Sequence, residues 1–200
     1  MDSVIKDILV ALIASATTLL GIYLRNLLEK KKVKQTRVTV AVGRDLLVYE
    51  LLNDLRDKFC FSRVIVMLFH NGSKYYNGED IQKESAAYET VTPGVPVMAR
   101  GLLDVPISAD NYLLSKLHES GVFRMDSIED ISDEAYRDLI QSYKITGMYS
   151  FKLVDKIGWF GFLMCSYNNF LGEKMHPILT DACIANCQLQ AKRLSSMLTK

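Results

Sequence analysis

Proline and cysteine are both scarce in this 200-residue chain, which has four of each, a single tryptophan and three histidines. So few prolines beside ten tyrosines and eight phenylalanines exclude collagen-like and low-complexity disordered classes. Cys60, Cys165, Cys183 and Cys187 contain no C-x-x-C pair and are too widely placed for a disulfide scaffold, in keeping with a reducing compartment. Only Cys183 and Cys187 fall one helical turn apart, and no histidine stands at zinc-ligand spacing from them, so no metal site is expected. A formal net charge of +1 gives no polyelectrolyte signal, and no nucleic-acid partner is expected. Nucleophile-elbow, P-loop, zincin and dinucleotide-binding motifs are absent too. The expectation is a protein that is not an enzyme.

The near-neutral average conceals a split. Residues 1–44 carry eight basic and three acidic side chains, and the rest of the chain is net acidic. Ile8 to Leu24 is a run of seventeen residues without a charge, including Leu12 and Leu19. As a helix rising about 1.5 Å per residue it falls slightly short of a hydrocarbon core. Flanking Val4, Ile5, Leu27 and Leu28 extend it to the interfaces if Lys6 and Arg25 snorkel. A helix buried in a soluble oligomer is the alternative, since Ser15, Thr17 and Thr18 dilute the apolar face. Arg25, Lys30, Lys31, Lys32, Lys34 and Arg37 follow, with Glu29 the one acid among them. By the positive-inside rule the N-terminus lies outside and the remainder in the cytoplasm, behind a single pass of the inner or plasma membrane. The basic run would also meet anionic lipid. A secretory signal is disfavoured because Asp2, Lys6 and Asp7 leave no basic n-region. The resulting division is a membrane helix over 1–28, a basic juxtamembrane linker over 29–43, and a folded domain over 44–200.

Within that domain Gly43 reads as a hinge or cap, and residues 44–58 form an amphipathic helix carrying Leu47, Leu51 and Leu55. Residues 62–70 (SRVIVMLFH) read as a strand buried on both faces, ended by an Asn71-Gly72 turn, with a second turn at Asn77-Gly78. Residues 85–91 are an antiparallel partner. Pro93, Pro96 and Pro106 mark 92–110 as a long irregular excursion. A helix over 111–120 ends at Gly121, and a second covers 133–143 with Ser132 as N-cap. Strands 148–155 and 159–167 make a hairpin about Lys156-Ile157-Gly158, before a last helix from about Pro177 to Leu198. The acidic run Asp126, Glu129, Asp130, Asp133 and Glu134 reads as a helix-preceding turn.

This order of elements resembles a GAF domain. The likeness covers roughly 44–198 and rests on the opening helix leading to SRVIVMLFHNG, on LLSKLHESGVFRMDSIED, and on YSFKLVDKIGWFGFLMCSY, where Gly161 sits like the family's glycine before its last strand. It implies an α+β, GAF/PAS-like antiparallel sheet with helices on its faces, enclosing a pocket that in many members takes a cyclic nucleotide, tetrapyrrole, haem or small metabolite. Other members bind nothing and only dimerise. The signature of the cyclic-nucleotide binders is missing, and no cysteine stands in a bilin-attachment context, so the cofactor is left unknown. The candidate ligand-binding residues are His70, Asn71, Tyr75, Tyr76, Tyr88 and Glu89. His70 could hydrogen-bond a ligand that the tyrosines stack on, or could merely satisfy loop carbonyls. Tyr88 and Glu89 point to opposite faces.

The functional expectation is a membrane-anchored, GAF-like regulatory, small-ligand-sensing or protein-interaction module. The alternatives are a phage holin or lysis-control type membrane protein, and a ligand-free scaffold. With no kinase or cyclase in these residues, output is expected through interaction or assembly. The expected assembly is a homo-oligomer, a dimer through the terminal helices, where Cys183, Cys187, Ala191, Leu194 and Leu198 form a stripe and Ile184, Leu189 and Met197 add apolar surface.

Overall fold

A computed structural model describes residues 2–74, 78, 80–170 and 177–199, with the backbone alone for 2–16, 26–38 and 73. The chain divides into two compact units, Met1–Asp45 and Leu46–Lys200. One helix, α1 (Asp2–Phe59), runs through the boundary. Gly43 therefore does not cap it. A single interior glycine costs a helix only about 1 kcal/mol, and no proline occurs before Pro93 to break it. In the first unit Leu19, Leu20, Ile22, Tyr23 and Leu24 are exposed, as is Arg25. Among the described residues no helix is long and apolar enough to cross a membrane. The side chains of Ile8, Leu12, Lys30, Lys31 and Lys32 lie outside the described residues.

The second unit is built on six antiparallel strands: β1 (Arg63–Lys74), β2 (Asp80–Val91), β3 (Val105–Pro106), β4 (Val122–Met125), β5 (Ile145–Val154) and β6 (Trp159–Asn168). Their order is β3-β2-β1-β6-β5-β4. Helices α2 (Asn111–Ser120), α3 (Glu134–Ser142) and α4 (Asp181–Leu198) complete it. Asn71-Gly72 does not end β1, which pairs with β2 as far as Lys74 and Asp80. Gly72 is required for close approach instead, since a Cβ there would sit 2.8 Å from the Ile81 carbonyl. Inside the expected irregular excursion, Val105–Pro106 adds a short edge strand, where proline's missing donor costs nothing. Asp133, not Ser132, caps α3 by accepting from the Tyr136 amide at 2.8 Å. The last helix starts later than expected, capped by Thr180.

The sheet is covered on both faces. On one, Val48, Leu51, Leu52 and Leu55 of α1 and Cys187, Ala191 and Leu194 of α4 pack on Val64, Val66, Phe151 and Leu163. On the other, Leu113 and Leu117 of α2 and Tyr136 and Ile140 of α3 pack on Ile65, Met67, Met148 and Phe162. Each fully buried leucine contributes about 1.5–3 kcal/mol. Most of the apolar stripe of α4 is thus consumed within the chain, with Cys183, Ile184, Met197 and Leu198 also packed against this core. Leu46, Leu47 and Leu189 stay exposed.

β1 alternates without interruption, but β2 carries an extra residue, Ala87, between the pairs Val66–Tyr88 and Met67–Ala86. This bulge decides which way the second half of β2 faces. Glu84 and Ala86 lie on the α2/α3 face before it and Glu89 returns there after it, while Tyr88 packs on the opposite face.

Gly161 pairs with Leu68, and a Cβ on it would lie 2.2 Å from the Met67 carbonyl oxygen. Neither partner can withdraw without opening the β1–β6 ladder. Gly161→Ala is therefore expected to lower stability by about 1–3 kcal/mol, as overpacking does, with a lower thermal midpoint and unchanged solvent exposure of Trp159 at low temperature; an unaltered midpoint would contradict this register.

Candidate functional site

A cavity of about 180 Å³ lies between the α2/α3 face of the sheet and the segment that crosses it from Thr92 to Asp110. Its wall includes Met67, Met98, Asp110, Tyr136, Phe162 and Met164. Two consecutive short turns, Ala99–Gly101 and Ile107–Asp110, shape the crossing segment. Ala86 donates nothing to a neighbouring strand there; its amide bonds the Leu102 carbonyl at 2.8 Å and docks the segment on β2.

Two acids of β2 face this side. Glu89 is spent on structure. Its carboxylate accepts from Arg63 Nε at 2.7 Å and from the Met98 and Ala99 amides at 2.8–3.0 Å. Arg63 is fully buried and also donates through Nη2 to the Pro96 carbonyl. Burial lowers the Arg63 pKa, with the hydrogen bond and charge of Glu89 opposing the shift. Together they anchor the proline-rich segment to the strands beneath it.

Glu84 differs. It is fully buried, and neither carboxyl oxygen has a hydrogen-bond partner of normal geometry among the described residues. Burial, and next the hydrogen-bonding and charge of neighbouring Asp110, push its carboxyl up from 4.5 to about 10, so it is protonated at neutral pH. Tyr136 also feels both acids, although burial is the main reason its phenol is raised well above 10.

Of the described residues expected to bind a ligand, none lines this cavity. His70 falls on the opposite face by strand alternation. There its Nε2 lies 2.9 Å from Ser85 Oγ and 3.7 Å from Asp104 Oδ1, while Nδ1 is 3.4 Å from the Asn71 carbonyl. Serine and aspartate approach the same ring nitrogen, so the three do not form a nucleophile relay. Asn71 is exposed and accepts from Gln82. Tyr88 meets Tyr49 edge-on at 5.5 Å. Tyr75 and Tyr76 lie outside the described residues. Glu84 escapes a reading that begins the strand at Ser85, although it shares the parity of Ala86 and alternates with Lys83 and Ser85, and nothing local to Arg63 or Asp110 links them to β2. The acidic run beyond α2 serves caps and neighbouring side chains. Asp130 closes a capping box with Ser127, Asp126 accepts from Arg124 and Tyr149, and Asp133 caps α3.

No protein-family description and no curated protein matches this sequence. Solved structures do match. The blue-light absorbing form of the PixJ GAF domain of Thermosynechococcus elongatus superposes with a TM-score of 0.61 at 16% identity, over 80% of this chain and 87% of that one. The GAF domain region of a Geobacter sulfurreducens PCA protein named as a membrane protein gives 0.59 at 12% identity, over 81% and 97%. A domain named as part of a two-component sensor histidine kinase of Sinorhizobium meliloti 1021 gives 0.53 at 14%, over 78% and 90%. The chain has the GAF fold.

Two outcomes test the chemistry of this face. Glu89→Ala leaves Arg63 buried without its counter-charge and is expected to cost about 3–5 kcal/mol, read by chemical denaturation; a loss under 1 kcal/mol would mean the pair does not hold the segment. Glu84 acts with the opposite sign to a paired carboxylate. Its folded pKa exceeds the unfolded one, so its contribution is whole below about pH 4.5 and is lost as pH rises toward about 10. Glu84→Gln is expected to match the wild type near pH 4.5 and to be more stable by at least about 1 kcal/mol at pH 8, a crossover that parallel melts would reveal.

Proposed function

We propose that this chain is a membrane-anchored regulatory module that senses a small ligand in the cavity under the Thr92–Asp110 segment. The observation that carries the reading is a largely apolar cavity with Asp110 in its wall, under a segment tied down by a buried ion pair. A fold maintained only for packing gains nothing from burying Glu84 beside a second acid, Asp110. The GAF neighbours include a photoreceptor domain and a domain named as part of a sensor kinase, which supports a regulatory role.

The size of the cavity narrows the ligand. A cavity of about 150 Å³ admits benzene, so 180 Å³ suits a single ring or a short chain rather than a linear tetrapyrrole. Cys165 and Cys187 are buried on the other face of the sheet, which removes them as attachment points.

Anchoring rests on the uncharged run from Ile8 to Leu24 and the basic residues after it, with the N-terminus outside and the domain cytoplasmic, against lipid headgroups. Self-association through α1 is part of this reading, since Leu46, Leu47 and Tyr49 stay exposed beside the buried Val48, Leu51 and Leu52. Catalysis is no part of it.

Deleting residues 1–43 is expected to give a folded domain soluble without detergent and dimeric in sedimentation at micromolar concentration, whereas the full chain partitions with membranes and shields a reporter fused after Lys200 from external protease. Aggregation of the truncated domain beside a full chain soluble without detergent would overturn the anchor and the boundary together.

A further inference from the structure

The hairpin that joins β5 to β6 carries features that neither the core nor the cavity uses. Asp155 folds back on the turn. Its carboxylate accepts from the Ile157 and Gly158 amides at 2.8 and 2.9 Å, and its own amide donates to the Gly158 carbonyl at 3.0 Å. The turn is thereby fixed, and its acid is spent inward. Ile157 is left 97% exposed at the tip, with Val154 of the same hairpin 47% exposed. A lone apolar side chain on a surface needs no explanation. This one is held out by a closed turn and flanked by cations. Lys156 is exposed, and the Lys152 ammonium stands 4.5 Å from the ring centroid of half-buried Trp159. The end of α4 completes the surface, since Lys192, Ser196 and Thr199 line one groove with Lys156 and Ile157. From Ala182 to Lys200 the chain has basic residues and no acid.

The unit that contains the hairpin begins at Leu46. Arg56 of α1 donates to the Val91 carbonyl, opposite Arg63, and Tyr49 meets Tyr88, opposite Val66. Going back along α1 therefore leads toward Leu68, which pairs with Gly161 near the hairpin. Leu46 and the tip lie at the same end of the sheet.

We propose that this hairpin is a docking tip for an anionic bilayer, with Ile157 entering the interface, Trp159 at headgroup level, and Lys156 and Lys192 against lipid phosphates. A leading apolar residue, an indole behind it and ammonium groups on long stems are the side chains that an interface favours. Charge complementarity selects anionic over neutral lipid, because the groove holds two lysines and its one carboxylate already accepts two amides. The proposal rests on the anchoring of the chain, which keeps the domain near a bilayer, and not on the cavity.

Trp159 is the only tryptophan of the chain, so native fluorescence reports on the hairpin. The test assembles the full chain into nanodiscs of phosphatidylcholine with brominated acyl chains, with or without phosphatidylglycerol. Bromine is expected to quench Trp159 in the anionic discs and not in the neutral ones, and high salt should reverse the quenching. Each lysine at an anionic surface is worth about fivefold, so Lys156→Gln combined with Lys192→Gln should lower the docked-to-free ratio about 30-fold. Ile157→Ser should abolish quenching, and Ile157→Leu should keep it. All these positions are exposed, and an unchanged thermal midpoint and Trp159 emission in detergent show each variant folded. No quenching of the wild type in anionic discs, or quenching undiminished in neutral discs, in the lysine variant or in Ile157→Ser, would overturn the docking tip. Absent quenching joined to chain assemblies that Ile157→Ser breaks up would assign the tip to a second copy instead. A chain that stays out of the discs would overturn the anchor, and the same lipids offered as vesicles would then decide the tip separately.

Discussion

A single buried ion pair organises the functional face. Arg63 and Glu89 sit on adjacent strands with almost no exposure, and a salt bridge so placed is a poor source of stability in itself because both charges lose their hydration. What it does here is geometric. The Glu89 carboxylate gathers the Met98 and Ala99 amides, and Arg63 takes the Pro96 carbonyl, so a stretch of chain with little regular structure of its own is held at a set height over the sheet. The cavity is the space left beneath it. Without this tether the apolar side chains of the segment would collapse onto Met67 and Phe162 or leave them open to water.

The two faces of the sheet are put to different uses. Against α1 and α4 the packing is apolar and filled, with even the thiols of Cys165 and Cys187 acting as small hydrophobes whose pKa values burial raises. The face under α2 and α3 holds Arg63, Glu84 and Glu89 along with the cavity. One inserted residue, Ala87, separates these uses, because it lets Glu84 and Glu89 lie on the same side of a strand although an odd number of residues apart.

Burial and the neighbouring Asp110 leave Glu84 most at ease protonated. The stability of this face is therefore expected to fall as pH rises toward about 10.

Much of the architecture was legible in the sequence, because hydrophobic period and turn chemistry act locally. The run at 62–70 could only be a buried strand, Gly121 with its left-handed backbone ends α2 where expected, and the hairpin about residues 156–158 follows from its turn residues. The apolar run before a basic one marks the first unit from composition alone. The site was not legible, since tertiary structure decided it. A bulge is invisible to a period-two reading, so the insertion that returns Glu89 to the α2/α3 face had no local signature. That Glu84 is buried depends on Asp110, twenty-six residues on, being carried over it by a segment whose path is set by Arg63 on another strand. Charge identity is written in the sequence, but the loss of water that gives a carboxyl its chemistry arises only when distant parts of the chain close over it.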